Sequence, residues 1–569
     1  MTGLMVALRR GVLVFAFGWA AYGLTAKAAT TPPSPDELSL ADFMQRVVEH
    51  NEAIQARVLA FHASRSQRKA EAGSFEPSWF STGEYVDRKR PNTIEVERSL
   101  RSGGSFLERN ENYSTGLEVL SPLGTRVRVG ASGRQLINNV QRTVLIDVDA
   151  EYESQVGVTL EQPLLKGAGK ASTLAALRLA ARSSEVAYQD YRRQFMQVIA
   201  EAEVSYWQLY YAQQELRLAG ESVALAQTLA NDMRAALTAG RGSRLDVLEA
   251  EAGLAVRNAR QSLARQKRTE AINRIAALSG AAAGLDARGY TALDQPQLRP
   301  VDLGSGDAVA VARMMSADVL RSQSQVAQEK IRLGYASNQR LPQVDLKGSV
   351  GAQGLGYNWR TSWRDVDRRD FPTWTVALEV RVPLFGGVRG RNELLAAKQR
   401  LNQAERTRSD IDTQVRMGVD TAQQRLQETF NAAQTFTAVV EFRTNLLDAR
   451  LRGRDVGRLD SRAVLEAEQD LFASRLDQLQ SQIEFQRALL DLELVSGTML
   501  QNRGLEVDFA TLEAQTASWA EKGGGALPGL RYQVPTFDRW PARPATPFVG
   551  DEVSSSPWSI GLPRFGGKK

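Results

Sequence analysis

The chain has no cysteine, only two histidines and, after residue 28, no long apolar run. Without cysteine there are no disulfides, no thiolate metal sites, no cysteine nucleophile and no lipid attached through an N-terminal cysteine. His50 and His62 lie on what reads as a single helix, and a spacing of twelve residues puts them about 120° apart around it, so they do not converge on a metal and are expected at the surface. No stretch after residue 28 is long and apolar enough to cross a bilayer as a helix. Entry into a membrane would therefore have to be as a closed barrel, the other way to satisfy backbone polar groups in lipid. Charge of one sign is not in large excess either: 71 basic residues face 65 acidic ones, for a net +6. That value falls to +3 without Arg9, Arg10 and Lys27, which gives no reason to propose nucleic acid as a partner.

What is present starts with a leader. Arg9 and Arg10, the apolar run from Gly11 to Leu24 and then Ala26-Lys27-Ala28 have the three parts of a secretory signal peptide, which sets the expected mature start near Ala29. The composition beyond it, 43% hydrophobic and 24% charged, is that of a folded protein with a large core.

The chain reads as built twice. Gly240-Arg241-Gly242-Ser243-Arg244-Leu245-Asp246-Val247-Leu248-Glu249-Ala250-Glu251 aligns with Gly457 to Glu468, and the same offset of 217 residues carries Ser279-Gly280 onto Ser496-Gly497. Upstream, Gln162-Pro163-Leu164-Leu165 with Gly167 matches Val382-Pro383-Leu384-Phe385 with Gly387, and Pro77 matches Pro342, each after a helical stretch. Within each half the period changes in the same order. Residues 38–73 read as one helix opening at Ser39, with Pro77 beyond as a stop. Alternating segments follow: Val156, Val158 and Leu160; Val344, Leu346 and Val350; Trp374, Val376, Leu378, Val380 and Val382, each with polar residues between. A long heptad seam comes next. Phe195, Ala202, Leu209, Leu216, Val223, Ala230 and Leu237 recur every seven residues, with Val198, Ser205, Ala212, Ala219, Ala226 and Met233 three places on. With no proline from Ala171 to Leu237, this helix has room to run about 100 Å. The second half repeats it from about Asn392 to Arg452, and each long helix turns at a Gly/Arg-rich corner into a shorter return helix, with Ser243 and Ser461 as N-caps.

Strands with apolar-out, polar-in alternation suit a membrane barrel, while the helices are too polar for lipid. One chain has too few strands to close a wide barrel and an open edge cannot exist in lipid, so the barrel is expected to be shared between chains. The helices would then continue it as a tube.

These features resemble the outer-membrane factor family of TolC. The resemblance covers about residues 38–500 and rests on Leu38-Ser39-Leu40-Ala41-Asp42, the helices ending before Pro77 and Pro342, the two Pro-Leu corners and the Val-Leu-Glu-Ala helix starts after Gly240 and Gly457. It implies an α+β membrane protein: a homotrimer sharing an outer-membrane β-barrel that continues into a periplasmic α-helical coiled-coil barrel, each chain built from two repeats. It also implies outer-membrane lipid, a periplasmic adaptor and an inner-membrane pump as partners, and a passive exit duct for efflux or type I secretion. The expected division is a signal peptide over 1–28, a first repeat over 29–280 with strands at about 78–162, an equatorial linker over 281–305, a second repeat over 306–500 with strands at about 343–383, and a Pro/Gly-rich tail over 501–569. The rival reading is a soluble periplasmic coiled-coil scaffold without a pore.

Two departures from the family pattern stand out. Tyr113–Leu120, the tight turn Ser121-Pro122-Leu123-Gly124 and Thr125–Ser132 read as an additional hairpin, either in the membrane or outside it; in the membrane it would raise a trimer from about 12 to about 18 strands. The tail, with Pro528, Pro535, Pro541, Pro544, Pro547, Pro557 and Pro563, has no helical or strand period and reads as a disordered segment or an extended one wrapped around the middle of the tube.

No residue pattern argues for catalysis, a metal or a cofactor. Gly167-Ala168-Gly169-Lys170-Ala171-Ser172 fails as a phosphate loop, because Leu164 stands where its first glycine belongs and Ala171 where Ser or Thr should be, and reads instead as a strand-to-helix corner. By resemblance, Gly240, Ser243, Leu245, Val247 and Leu248, with Gly457, Ser461, Val464 and Leu465, form the periplasmic tips that meet the adaptor. The charges crowding the second tip, Arg450, Arg452, Arg454, Asp455, Arg458, Asp460 and Arg462, are candidates for an aperture gate held by Arg–Asp pairs.

Overall fold

The structure, a computed structural model, describes residues 37–99, 105–139, 149–280, 290–300, 307–384, 387–455, 461–523 and 525–535. The leader, Gly457, Arg458, Asp460, Phe385 and the prolines from 541 onward lie outside the described residues.

The first half opens with α1 (Leu40–His50) and α2 (Glu52–Gly73). The single helix expected over 38–73 is thus two. Asn51 breaks it, because its side-chain oxygen accepts from the N–H groups of Ala53 and Ile54, offering the chain a cap where a helix would continue. Its amide also donates to the Leu278 carbonyl and fixes the break against the end of a later helix. Four strands follow, β1 (Ser78–Arg90), β2 (Phe106–Leu120), β3 (Arg126–Asn138) and β4 (Glu151–Pro163), then the long α3 (Ala175–Thr238) and its return α4 (Arg244–Leu278). The second half runs α5 (Asp307–Met315), α6 (Ala317–Gln339), β5 (Gln343–Gly356), α7 (Trp359–Arg368), β6 (Phe371–Arg381), the long α8 (Val388–Asp455) and its return α9 (Ser461–Ser496). At 1.5 Å per residue α3 and α8 are each about 100 Å long. Among the described residues no helix is long and apolar enough to cross a membrane.

All six strands form one antiparallel sheet in the order β1-β2-β3-β4-β5-β6. The additional hairpin is therefore part of the same sheet, and the first half supplies four strands to the second half's two. Its tight turn is closed by Gly124 N–H donating to the Ser121 carbonyl at 2.8 Å, with Gly124 at φ 92, a conformation that favours glycine.

In the helical layer α4 packs on α3, α3 on α9, and α9 on α8, which leaves α4 and α8 as the two edges. The burial of Phe195, Val198, Ala202, Ser205, Leu209, Ala212, Ala219, Ala226 and Ala230 follows the heptad seam. Leu218, Ser222 and Leu229 join it further along, as a helix of 3.6 residues per turn drifts about 20° per heptad from a seven-residue repeat.

The main core lies alongside α3 from Tyr188 to Tyr210, where Phe43, Val47, Phe61, Tyr188, Phe195 and Tyr206 are fully buried with Leu500, Leu512 and Leu530 from the C-terminal segment. Over its described residues, which end at 535, the tail thus differs from the extended segment that its composition suggests. It forms α10 (Phe509–Lys522), capped by the Asp508 carboxylate on the Thr511 N–H, and packs Leu512, Thr516 and Trp519 against α2 and the core. His62 is correspondingly not a free surface residue: its Nε2 is 2.7 Å from Thr516 Oγ1, and burial lowers its imidazole pKa below the usual histidine value while Glu513 opposes the shift.

Candidate functional site

The sheet has two chemically different faces, set by the period of two along each strand. One hydrogen-bonded row reads Trp79, Leu117, Val129, Val158, Val350 and Trp374, one residue from each strand. Its neighbours on that face include Val119, Val127, Val156, Leu160, Val344, Leu346, Val376, Leu378 and Val380, many of them substantially exposed, with Trp374 at 76%. A contiguous apolar surface of this kind needs a partner that is itself apolar. From Pro372 to Val382 it extends about 33 Å along β6, or about 25 Å if the strand tilts by about 40°, the height of the apolar band of an outer-membrane barrel.

The opposite face is polar and carries a continuous ladder of ions. Arg128 reaches Glu118 at 2.6 Å, Arg126 lies 3.4 Å from Glu118 and 3.6 Å from Glu161, Lys347 lies 3.9 Å from Glu161 and 2.7 Å from Glu379, and Arg381 closes the series on Glu379 at 2.7 Å. These groups remain solvated, so the pairs add little to the stability of the fold. Their consequence is a wet wall of alternating charge rather than stability. Further along the same face Glu84, Asn112, Arg134, Glu153 and Gln155 line a polar cleft.

Both long helices start at corners built from glycine. Gly167 (φ 82) and Gly169 (φ 80) adopt the conformation glycine allows, Gly169 N–H donates to the Leu123 carbonyl, and Gly167 N–H donates to Asn338 Oδ1 at 2.7 Å. The corner joins the β2–β3 turn, the end of β4 and the end of α6, and so ties the start of the long helix to the edge of the sheet. The short turn of the sheet thus lies on the helix side, and the strand ends Arg90 and Phe106, Asn138 and Glu151, and Gly356 and Phe371 lie on the far side, so the longer connections leave from there as in outer-membrane barrels.

At the far end of the tube, α3 terminates in a Schellman turn: Gly240 (φ 69) donates to the Leu237 carbonyl and Arg241 to that of Ala236. Ser243 then opens α4 with a reciprocal capping box to Asp246, 3.2 Å and 3.0 Å. Leu245 and Leu248 project into solvent at 62% and 55% exposure, whereas Val247 and Val464 are buried between helices and Leu465 is half-buried. Ser461 is the first residue of α9. Of the candidate gate charges, Arg450 donates to the Ala463 carbonyl across the tip at 2.8 Å, Arg452 is exposed, and Arg462 pairs with Glu466 one turn on. Arg454 and Asp455 close α8.

Two buried charge clusters have no counterpart in the sequence-level reading. Near the tips, Arg257 of α4 is held by Glu468 of α9 at 2.5 Å, by the Leu465 carbonyl at 3.1 Å and by Ser222 at 3.2 Å, tying the two helical hairpins together. In the main core, Arg503 stands between Glu203 of α3 and Glu493 of α9, with Nη1 2.6 Å from Glu493 and Nη2 3.0 Å from Glu203. Tyr532 donates to Glu203 at 3.0 Å and Asn502 to Glu493 at 2.6 Å. Burial works against the charge on Arg503, but the two carboxylates overcome it and hold the guanidinium firmly protonated. Burial raises the pKa of Glu493, and Arg503 and Asn502 pull it back down. The partners are far apart in sequence, and no local pattern marks them.

The model of the family described as "Outer membrane efflux protein" matches residues 126–281 and 311–498. The chain is 23% identical over 402 residues to the alkaline protease secretion protein AprF of Pseudomonas aeruginosa, covering 68% of this chain and 77% of that one. It is 22% identical over 374 residues to the outer membrane efflux protein BepC of Brucella suis biovar 1, covering 65% and 78%. Among solved structures, the open state of the MtrE outer membrane channel of Neisseria gonorrhoeae superposes with a TM-score of 0.57 at 16% identity, over 80% of this chain and 88% of that one.

Proposed function

The chain belongs to the outer membrane efflux protein family, an exit duct of the outer membrane with a periplasmic portion, and from that premise we propose that three copies close around one pore. The observation that carries this reading is that both layers of the chain end in open edges on the same pattern. Among the described residues the outer edges of β1 and β6 have no partner strand, and the two strands run in opposite directions, so β6 of one copy can continue antiparallel onto β1 of the next. In the helical layer the edges α4 and α8 leave apolar side chains uncovered: Val256 and Leu263, seven residues apart on α4, and Met417 and Phe442 on α8. A neighbour that pairs the strands would cover these helices too. Three copies give a barrel of about 18 strands, within the even-numbered range of such barrels. A pore-free soluble scaffold has no use for the apolar face of the sheet or for its polar reverse.

In this duct the ion ladder lines the lumen, and the energy for transport comes from a pump and adaptor rather than from the chain. The relatives matched are secretion and efflux proteins rather than enzymes. AprF is named for protease secretion and BepC for efflux, so the cargo proposed here is a secreted polypeptide or a small toxic compound. The adaptor meets the tips around Gly240, Ser243, Leu245, Val247 and Leu248 and around Gly457, Ser461, Val464 and Leu465. Leu245 and Leu248 are its main apolar contacts, because they are the exposed ones. Changing both to glutamate is expected to abolish transport in cells while the amount of trimer in the outer membrane stays unchanged; transport at the wild-type rate would place the adaptor elsewhere.

The tip charges Arg450, Arg452, Arg454, Asp455, Arg458, Asp460 and Arg462 are proposed to hold the aperture closed in the absence of the adaptor. Asp455→Asn with Asp460→Asn should raise the conductance of single channels in planar bilayers, and an unchanged conductance would remove these residues from the gate.

A further inference from the structure

Helix α7, in the long connection between β5 and β6, lies flat on the apolar side of the sheet, one residue pair beyond the last apolar positions Ala131, Val156 and Ala352. Its seat is made by glycines on that same face. A Cβ on Gly354 would come within 2.0 Å of the Ser362 carbonyl oxygen, one on Gly356 within 2.1 Å of Thr361 Oγ1, and one on Gly133 within 2.7 Å of the Trp359 ring. Trp359 packs edge-on against Tyr152 with ring centroids 4.9 Å apart, and the buried Ser362 hydroxyl donates to the Gly354 carbonyl at 2.9 Å. The helix is therefore fixed, and its apolar side is satisfied by protein rather than by lipid.

With Ser362 and Val366 turned to the sheet, a rotation of about 100° per residue places Arg360, Arg364 and Arg368 together on the opposite side. All three are exposed, and among the described residues no carboxylate lies within ion-pairing distance of them. Trp363 flanks them at 38% exposure. Arg369 caps the helix at φ 56, the only non-glycine residue in the left-handed region among the described residues, so a fourth cation stands where glycine would fit with less strain.

We propose that α7 is a collar that binds the phosphate groups of anionic lipids in the outer leaflet through Arg360, Arg364 and Arg368, with Trp363 as its interfacial anchor. The inference rests on the reading that the apolar face of the sheet meets lipid, since that reading puts α7 at headgroup depth. A guanidinium grips phosphate oxygens with two parallel hydrogen bonds, which suits it to this ligand better than lysine. An indole beside the arginines suits the same depth, apolar ring inward and N–H in the wet layer.

The test is native mass spectrometry of the intact, membrane-extracted protein, offered either a bisphosphorylated lipid A or its enzymatically dephosphorylated form. The wild-type protein should retain the phosphorylated lipid, and the exchange R360Q/R364Q/R368Q should reduce its retention about tenfold or more, given that each charge-assisted pair is worth a sizeable part of that factor. Equal retention of the two lipids by the wild-type protein, or undiminished retention by the variant, would overturn the proposal. Displacement of the lipid by millimolar inorganic phosphate would assign a free-anion site and would also overturn it. The wild-type comparison does not depend on the variant folding. Recovery of the wild-type protein as a soluble species would instead refute the barrel itself, a different and separately visible result.

Discussion

Replacing Arg503 with alanine is expected to destabilise the protein by about 3–5 kcal/mol, because it leaves Glu203 and Glu493 buried together without a cation. The effect should reach beyond that pair. Arg503 also accepts from the Gln533 N–H through its carbonyl, and Tyr532 and Asn502 bond the same carboxylates, so the segment from Met499 to Pro535 is anchored here. Loss of the guanidinium should make that segment susceptible to limited proteolysis and lower the thermal transition measured in detergent. The pH dependence should change as well. In the variant Glu493 loses the cation that opposes its burial and can stay buried only by taking up a proton, so its folded-state pKa lies above the unfolded value. The folded state then binds more protons than the unfolded state, and the variant should gain stability as pH falls from 8 toward 5. Glutamine at both positions 203 and 493 in an Arg503→Met background should restore much of the loss, since no buried charge is then left unpaired. An alanine variant with wild-type stability and wild-type protease resistance would mean that the cluster does not hold the C-terminal segment.

The second large effect is expected on the apolar face. Val158 sits in the middle of the six-residue row from Trp79 to Trp374, and Val158→Arg would put a cation in the hydrocarbon layer at about 2–4 kcal/mol per chain near the midplane. In an assembly of three chains the cost is paid three times, so folded protein should nearly vanish from the outer-membrane fraction. Thr159→Arg is the control, one residue along and on the polar face between Arg128 and Ser349, where the arginine stays in water two residues from the Glu161 carboxylate. Equal recovery of the two variants would mean that the faces are not lipid and lumen.

Much of this architecture is legible in the sequence because two periods carry it. The alternation of Val156, Val158 and Leu160 with polar neighbours could only mean a two-faced strand, and the strand registers then align Val158, Val350 and Trp374 in a single row. The additional hairpin was visible for the same reason, its Ser121–Gly124 turn sitting between alternating runs. The heptads of α3 were readable because small residues at one seam allow close helix approach, although Leu237 at the end of the seam stands exposed in the single chain. What could not be read depends on contacts between distant segments. Asn51 is polar like its neighbours, and only its bond to Leu278 distinguishes it as a break rather than a helix-surface residue. Helix α10 is short and lies among prolines and glycines, and its Leu512, Thr516 and Trp519 face becomes meaningful only against α2 and His62. Arg503 and Arg257 read as two more arginines in a chain rich in them, since their partners come from other helices.

The most direct test of the shared barrel uses the absence of native cysteine. Cysteine pairs placed on the polar face, one on β1, at Thr82 or Glu84, and one on β6, at Thr373 or Thr375, would be the only thiols in the chain, and facing residues on paired antiparallel strands lie about 4.5–5.5 Å apart at Cα, within disulfide range. Oxidation in intact outer membranes should link at least one such pair between chains, giving a ladder on non-reducing denaturing gels that ends at three chains, with no ladder from either single-cysteine parent. A chain that remains monomeric in every pairing, or a ladder that stops at two or continues past three, would contradict a barrel closed by three six-stranded sheets.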